Sequence, residues 1–429
     1  MRVLLISHTA FSRTNNMGKT LLSYLSDFIP GEVAQLYIHS EVPTDDTICT
    51  DYYRFTDIDA VKSILNPMHH GNIYGKYDIE KDRVLARTDE GIVNSAYVIG
   101  SKRKAWSMNA REIAWKLAHW KRKELKEWIG RFDPEVILFA SGDYTFMYDI
   151  AYWIAEYYDK PLVTICVDDY YIHRRNSNSL FGRLHYTTFM KSVKKTIARS
   201  SCIFTLSDLM NDAYTKLFQK PCFTVHNSVP KIVSPFNAEG KHISYIGNLG
   251  FGRVDQLVTI GKALHDLERK TEPTAIDVYT GSFNTEFLDK LRNAEGVRLH
   301  GRISADEVMN VMKESLATIH TESFDPENQE LVRYSVSTKI AESLMYGPCL
   351  IAYGPQGIAS IDYLIFNQAA FVITKSEDLK SGLQALLKDE KLRSQIVKNA
   401  RELAARNHDE ATTPKKVRKW LQMAIDGDI

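Results

Sequence analysis

Residues 337–348, STKIAESLMYGP, carry the clearest chemical pattern in the sequence. Ser337 or Thr338 can cap a helix in which Lys339 and Glu342 lie three residues apart on one face, near its positive N-terminal end. A lysine and helix-end amides suit a diphosphate, and a carboxylate can accept two hydroxyl hydrogen bonds from a ribose. A surface ion pair on a capped helix is the competing interpretation.

A second phosphate-binding candidate is the segment 246–253, IGNLGFGR. Gly250 and Gly252 would let the backbone approach a phosphate closely, and the guanidinium of Arg253 could neutralise it through a forked hydrogen bond. The G-x2-G-x-G spacing differs from the dinucleotide fingerprint, so a plain turn remains the alternative.

Several familiar catalytic patterns do not occur. The GKT at residues 18–20 is not part of a P-loop, because Arg13 stands where the first glycine should be. The thirteen histidines show no H-x3-H or HExxH spacing and the five cysteines no C-x2-C spacing, which argues against a zinc site. There is no G-x-S-x-G nucleophile elbow.

The elements that must position these residues alternate between short apolar runs and helical patterns, which predicts parallel α/β sheets. In the first half we predict strands at residues 3–7, 33–38, 136–140, 162–167, 203–207 and 223–227, with helices at 17–28 and 145–158. Residues 40–105 interrupt this rhythm and are predicted to form an insertion or loops. Residues 110–130 have the spacing of one amphipathic, basic helix.

The second half restarts after a Pro- and Gly-containing linker at residues 229–241. We predict strands there at residues 242–247, 276–281, 297–301, 317–321, 349–354 and 369–374. Because 429 residues exceed one core, we predict an α/β protein with two Rossmann-like, doubly wound domains facing a central cleft. The domains are 1–230 and 231–409, and packing of a C-terminal helix 410–429 back on the first domain is left open.

Composition limits the partners and the compartment. A formal net charge of +1 argues against nucleic acid as the main partner. The odd number of cysteines suits a reducing compartment, and no stretch approaches the roughly 18 apolar residues of a membrane helix. We therefore expect a cytoplasmic protein, and leave open a peripheral position on the inner face of the cell membrane.

Six segments, in their order and spacing, resemble the retaining GT-B glycosyltransferases grouped around glycosyltransferase family 4. The likeness is densest between residues 203 and 409. Its segments are FTLSDLMNDAYTKLF, FTVHNSVP, ISYIGNLGFGR, GVRLHGRISADEVMNVMKESLATIHTES, TKIAESLMYGPCLIA and SEDLKSGLQALLKDEKLRSQIVKNARELA. The resemblance implies a GT-B fold and a hexosyltransferase that moves a sugar from a UDP- or GDP-sugar to an acceptor.

Carried over by position, the resemblance implies a donor site in the second domain. Glu342 would bind the ribose, Arg253 and Lys339 the diphosphate, and Arg302 and Ile303 would flank the base. The implied donor-binding set is Gly250, Gly252, Arg253, Arg302, Ile303, Thr338, Lys339 and Glu342.

The sequence departs from the family pattern at two places. Tyr334 stands where the first Glu of the E-x7-E element should be, and the candidates to replace it are Glu322, Asp325, Glu327 and Glu330. After the strand LVTICV the family often has a His, and here the candidate catalytic residues are Asp168, Asp169 and His173. Loop carboxylates paired with Arg174 and Arg175 are the alternative interpretation.

The implied mechanism retains the anomeric configuration through front-face attack by the acceptor. Cations and helix dipoles would neutralise the leaving diphosphate, so we expect no cofactor and no obligatory metal. The acceptor would be a glycan or a lipid-linked molecule, in bacterial surface polysaccharide or glycoconjugate biosynthesis. Basic stretches at 101–104, 120–126 and 191–195 could attract such a lipid to an anionic membrane. The alternatives are a sugar-nucleotide epimerase and a non-catalytic subunit that binds a glycan or a partner.

Overall fold

The computed structural model describes residues 1–13, 16–75, 105–173, 180–231, 240, 242–267 and 274–429. The chain forms two compact units. Unit 1 comprises residues 1–225 and 414–429, and unit 2 comprises residues 226–413. No helix in these described ranges is both long and apolar enough to cross a membrane.

Unit 1 is built on an eight-stranded sheet. Its strands are β1 (Val3–Ser7), β2 (Val33–Tyr37), β3 (Cys49–Arg54), β4 (Asn72–Tyr74), β5 (Val136–Ala140), β6 (Leu162–Cys166), β7 (Ser200–Thr205) and β8 (Cys222–Thr224). Its helices are α1 (Asn16–Tyr24), α2 (Asp57–Leu65), α3 (Ala105–Leu117), α4 (Lys123–Phe132), α5 (Thr145–Tyr157), α6 (Leu180–Arg199), α7 (Asp208–Phe218) and, at the C-terminus, α16 (Thr413–Asp426).

The strand order of unit 1 is β4-β3-β2-β1-β5-β6-β7-β8, and β4 alone of these strands runs antiparallel to its neighbour. Strands β1, β5 and β6 are buried along their whole length, as their unbroken apolar sequences require of a sheet covered on both faces. The direction of the connections reverses between β1 and β5. Ligands of open parallel sheets bind at such a switch point, beyond the carboxyl ends of the strands.

Unit 2 contains a six-stranded parallel sheet. Its strands are β9 (His242–Ile246), β10 (Ile276–Tyr279), β11 (Val297–His300), β12 (Ser315–Thr321), β13 (Cys349–Tyr353) and β14 (Phe371–Ile373). Its helices are α8 (Arg253–His265), α9 (Thr285–Arg292), α10 (Ala305–Glu314), α11 (Pro326–Val332), α12 (Thr338–Tyr346), α13 (Ala359–Phe366), α14 (Leu379–Lys388) and α15 (Glu390–Asn407). The strand order β11-β10-β9-β12-β13-β14 places the switch point between β9 and β12.

Two predictions about elements of unit 1 are wrong. The helix expected at residues 110–130 is two helices, α3 and α4, because the backbone N–H of His119 donates to the Ser63 hydroxyl (3.0 Å) instead of continuing a helix. The segment at 40–105, expected to form an insertion or loops, contains β3, α2 and β4 in its described part, and β3 pairs with β2 in the main sheet. The basic stretch at 101–104 lies outside the described residues, as do Arg174 and Arg175.

Helix α16 returns the chain to unit 1 after unit 2 is complete. Val417 and Leu421 are fully buried in the core that contains β1 and β5. The Trp420 ring stacks on Phe223 at 4.9 Å between ring centroids. Arg418 donates hydrogen bonds from its guanidinium to the carboxylates of Asp27 and Glu32.

Candidate functional site

The glycine loop of unit 2 lies against the end of the neighbouring strand. Gly252 precedes α8 with φ +72°, a left-handed conformation that favours glycine. A Cβ atom there would lie 2.7 Å from the Ser323 hydroxyl and 2.9 Å from the Asn328 amide nitrogen. Gly252 is therefore needed for the turn and for close packing on the segment that follows β12. Gly250 donates its N–H to the Asn248 side chain at 2.7 Å.

Arg253, the first residue of α8, pairs with Glu322, which follows β12. Its Nη2 atom donates to both carboxylate oxygens of Glu322, at 2.8 and 3.0 Å, and its Nε donates to the Thr321 carbonyl at 3.2 Å. The side chains are 16% and 2% exposed. Arg253 was predicted to clamp a phosphate and Glu322 to replace a missing sugar contact, and the fold joins these two candidates at the switch point of the sheet.

Burial governs the protonation of the groups around this ion pair. Burial raises the pKa of Glu322 and the Arg253 charge opposes that shift. His320 lies on β12, two residues before Glu322, and its Nε2 atom is 3.4 Å from a Glu322 oxygen. Burial, with the nearby Arg253 charge, lowers the pKa of His320 to about 3, so its imidazole is neutral near pH 7. Its Nε2 atom has no hydrogen-bond partner among the described residues.

Lys339 and Glu342 form the ion pair that their spacing on α12 predicts. The Lys339 Nζ atom lies 2.6 Å from a Glu342 carboxylate oxygen. The Lys339 side chain is partly exposed, whereas Glu342 is largely buried. This ion pair is the geometry of the competing interpretation.

Both helices implicated in phosphate binding begin without a side-chain cap. Within the described residues, Gly252 before α8 has no side chain to offer, and Ser337 before α12 makes no capping hydrogen bond. The predicted cap by Ser337 or Thr338 is therefore wrong. Uncapped N-terminal amides are donors that an anion can use, and the helix dipole favours it there. Both N-termini lie at the carboxyl edge of the sheet, because each helix leads into the next parallel strand.

The other predicted donor residues lie at the same edge or on its surface. Arg302 is exposed and Ile303 half-buried in the segment between β11 and α10. The remaining candidates for the missing acidic contact are not buried: Asp325 caps α11 by accepting from the Asn328 N–H at 3.2 Å, and Glu327 and Glu330 are exposed on that helix.

In unit 1, Asp169 holds a turn after β6. Its Oδ1 atom accepts the N–H groups of Tyr171 and Ile172, at 3.1 and 2.9 Å, and the Tyr214 hydroxyl at 2.8 Å. Its Oδ2 atom accepts the N–H of His173 at 2.8 Å. A buried carboxylate with four donors is a structural anchor, so the geometry favours this role over that of a general base.

Asp168 and His173 remain near that anchor with more accessible side chains. Asp168 is half-buried and accepts the Asp169 N–H at 3.0 Å. The His173 side chain is also half-buried. Of the three predicted catalytic residues, these two keep partly exposed side chains.

A polar and aromatic cluster that sequence reasoning missed lies at the switch point of unit 1. His8 follows β1, and its ring stacks on Tyr144, which precedes α5, at 5.2 Å between centroids. The guanidinium of Arg111 lies over the same Tyr144 ring at 4.0 Å and donates to Asp57 at 2.8 Å. His39, after β2, is 5.5 Å from the His8 ring. The only sequence signal was the position of His8 and His39 directly after predicted strands.

Glu112, next to Arg111, caps α5 from another helix. Its two carboxylate oxygens accept the N–H groups of Thr145 and Phe146, at 2.7 and 3.1 Å. Burial raises its pKa to about 7, against the effect of these hydrogen bonds. No group of three or more His, Cys, Asp or Glu side chains is arranged to hold a metal ion in the part of the chain that the structure describes.

Comparison with known proteins places this geometry in a fold family. Residues 262–418 match a family model described as glycosyl transferase-like. HepE from Anabaena, solved in complex with UDP and glucose, is similar over 98% of this chain and 99% of its own, with a TM-score of 0.61 and 12% identity. The chain has the GT-B fold.

Two further GT-B structures are similar to nearly the same extent. The α,α-trehalose-phosphate synthase (UDP-forming) from Burkholderia xenovorans, in complex with glucose-6-phosphate, covers 98% of this chain and 100% of its own, with a TM-score of 0.60 and 9% identity. Sucrose-phosphate synthase from Thermosynechococcus elongatus covers 99% of each chain, with a TM-score of 0.61 and 10% identity. A search of curated proteins finds no match.

These findings confirm the predicted fold class and a glycosyl transferase-like segment. That segment contains Arg302, Lys339 and Glu342 and begins after the glycine loop and Arg253. Identities of 8–12% show the fold alone, so family 4 in particular stays a prediction.

Proposed function

We propose that this protein is a glycosyltransferase that moves a hexose from a UDP- or GDP-sugar to a glycan or lipid-linked acceptor. The observation that carries the proposal is the carboxyl edge of unit 2, where two uncapped helix N-termini occur together with Arg253, Lys339 and Glu342. Similar structures solved with UDP favour a uridine nucleotide as the first donor to test.

The donor would bind by exchanging one internal ion pair, that of Lys339 with Glu342, for ligand contacts. Lys339 would turn from Glu342 to the diphosphate, and the amides that begin α8 and α12 would donate to phosphate oxygens. The Glu342 carboxylate would then accept the ribose hydroxyls. Arg253, fixed by Glu322, would act as a preorganised positive charge beside the leaving group, where negative charge develops in the transition state.

The reaction would retain the anomeric configuration, with the acceptor hydroxyl attacking the face from which the diphosphate leaves. Catalysis would come from positioning and from neutralising the leaving group, with no obligatory metal. Full turnover after treatment with EDTA is the expected result. Loss of activity that Mg²⁺ restores would contradict this part of the proposal.

The acceptor would bind to unit 1, with Asp168, His173 and the cluster of His8 and Arg111 as candidate contacts. A role in bacterial surface polysaccharide or glycoconjugate synthesis, at the inner face of the cell membrane, would suit an acceptor that is a growing glycan or a lipid-linked sugar. Asp168→Ala should reduce transfer while leaving nucleotide affinity intact, and unchanged transfer would remove Asp168 from the acceptor side.

Calorimetry with UDP and GDP tests the donor site. Glu342→Ala should weaken nucleotide binding by roughly 1–3 kcal/mol, which is the cost of losing charge-assisted hydrogen bonds. Glu402→Ala, which removes an exposed acid from α15, is the matched control and should bind as the wild type does. Wild-type affinity in a folded Glu342→Ala protein would rule out the ribose assignment.

A labelled-donor assay separates this function from its rivals. A transferase releases UDP or GDP slowly to water and faster with acceptor. An epimerase isomerises the sugar nucleotide without releasing the diphosphate, and a non-catalytic binding subunit does neither.

A further inference from the structure

Two contacting helices of unit 1 expose aliphatic side chains that nothing in the described chain covers. Ile113 on α3 and Leu184 on α6 are 59% and 60% exposed. Leu117 and Leu180, one helical turn away from each of them, are exposed as well. Ile113 and Leu184 border one groove of about 1050 Å³, which lies between α3, α5 and α6. We call this the α3–α6 groove.

The wall of the α3–α6 groove combines aromatic rings with lysines. Lys121 Nζ lies 5.1 Å from the ring centroid of Trp120 and 5.4 Å from that of Trp153. Lys195 Nζ lies 3.7 Å from the Tyr152 ring centroid. Proteins that bind at a membrane–water interface often combine Trp, Tyr and Lys with exposed aliphatic residues.

The charge around the groove is mainly positive. Helix α6, residues 180–199, contains five Lys and Arg residues and no Asp or Glu. The groove itself is lined by Lys116, Lys121, Arg122 and Lys195, against the acidic Glu112 and Asp149. Both oxygens of Glu112 accept the first amides of α5, and Asp149 accepts the Ser192 hydroxyl at 2.8 Å. The surface therefore complements an anionic partner that also has an apolar phase.

Other occupants fit these features less well. A free sugar would stack on an aromatic face, but lysines lie over the rings of Trp120, Trp153 and Tyr152. A second copy of the chain would bring two positive surfaces together in a two-fold interface. A nucleic acid would match the charge but leave Ile113 and Leu184 exposed to water.

We infer that the α3–α6 groove and its aliphatic rim, which is formed by Ile113 and Leu184, are a docking surface for a bilayer rich in anionic phospholipid. Ile113 and Leu184 enter the boundary between headgroups and acyl chains, and the lysines stay at the level of the phosphates. The role of this docking in the cell rests on the proposed transfer to a lipid-linked acceptor. Its test needs no nucleotide, so the two proposals can fail separately.

Co-sedimentation with vesicles measures the docking. The wild type should bind vesicles of phosphatidylcholine with 30% phosphatidylglycerol at low salt, more weakly at physiological salt, and barely bind pure phosphatidylcholine. Lys121→Ala and Lys195→Ala should each lower the partition coefficient about five-fold, the value that corresponds to about 1 kcal/mol per basic residue at an anionic surface. Equal binding to both kinds of vesicle, or none to either, would overturn the inference.

The aliphatic rim needs its own variants and a control. Ile113→Glu with Leu184→Glu should lower binding by about ten-fold or more, because two apolar groups are lost and two negative charges gained. Phe283→Glu with Phe366→Glu adds the same charge on exposed sites of unit 2, where Phe283 is 92% exposed, and should change binding little. Thermal unfolding verifies that both double variants are folded. Equal losses of vesicle binding in the two double variants would show that the added charge alone is responsible, and would refute docking through this rim.

A fluorescent label locates the contact directly. An environment-sensitive dye on Leu184→Cys should shift to the blue with anionic vesicles, while the same dye on Phe366→Cys should not. A blue shift at both positions, or only at position 366, would refute this surface. A shift at position 184 that depends on protein concentration without vesicles, with dimer formation in sedimentation velocity, would assign the groove to a second copy and also overturn the inference.

Discussion

Arg253 and Glu322 form a buried ion pair between the start of α8 and the end of β12. The glycine loop placed a positive charge at the start of α8, and acidic candidates were expected between residues 322 and 330. The pairing of Arg253 with Glu322 spans 69 positions and depends on β9 and β12 being neighbours in the sheet. The chemistry of each residue was therefore predictable, but its partner was not.

Because of that pairing, Arg253→Ala should lower stability as well as turnover. Removing the arginine leaves the carboxylate of Glu322, 2% exposed, buried without its partner. Breaking a buried pair from one side costs about 3–5 kcal/mol, so stability should fall together with turnover. Urea unfolding should show this loss, and the double variant Arg253→Met with Glu322→Gln should recover most of it. A single variant as stable as the wild type would mean that Glu322 is protonated and needs no partner.

Asp169 offers a second test of a buried carboxylate at the residue scale. Asp169→Ala deprives three backbone N–H groups and the Tyr214 hydroxyl of their acceptor. The expected loss of stability is at least about 3 kcal/mol, since each buried donor left unpaired costs about 1–3 kcal/mol. Asp168→Ala is the matched control and should cost less than about 1 kcal/mol. Chemical denaturation distinguishes the two, and equal small losses would contradict the anchoring role.

At the scale of elements, the strands whose bounds were predicted correctly are fully buried. Strands with unbroken apolar sequences, such as β1 and β5, begin and end at the predicted residues, because both faces of the sheet are covered. Strand β3, CTDYYR, lies near the sheet edge and mixes polar with aromatic residues. It therefore contains no apolar run from which a strand could be predicted. The break between α3 and α4 depends on a hydrogen bond between His119 and Ser63, distant in sequence, that no local pattern encodes.

Helix α5 should make the stability of unit 1 depend on pH through Glu112. Burial raises the folded-state pKa of this carboxyl from 4.5 to about 7. Its neutral form is favoured in the fold, so its contribution is fully present below pH 4.5 and is lost as the pH rises through about 7. The loss can reach about 3 kcal/mol.

Glu112→Gln should remove this pH dependence, because the amide cannot ionise. Thermal unfolding followed between pH 5 and pH 8 measures it, with the difference between variant and wild type growing towards pH 8. Glu127→Gln, at an exposed site on α4, is the control and should leave the profile unchanged. Parallel profiles for wild type and Glu112→Gln would show that the two backbone hydrogen bonds outweigh burial.

At the scale of the whole molecule, two separate segments of the chain, residues 1–225 and 414–429, belong to unit 1. The two sheets followed from the alternation of apolar runs and helical patterns, and the number of residues required more than one core. The unit against which α16 packs could not be predicted from the sequence, because its amphipathic pattern would suit either unit. In the structure Val417 and Leu421 are fully buried against unit 1, and Arg418 bonds to Asp27 and Glu32.

Leu421→Asp should therefore unfold unit 1 and spare unit 2. It buries a charge in the core that contains β1 and β5, whereas the residues of α12 and the glycine loop belong to a separate core. Hydrogen exchange should show lost protection in β7 and β8, next to Trp420, and retained protection in β9 and β12. Lys419→Asp, on the same helix, is the control, because Lys419 is exposed and should tolerate the charge. If both sheets lose protection together in Leu421→Asp, the two units unfold as one cooperative structure and α16 stabilises the whole molecule rather than unit 1.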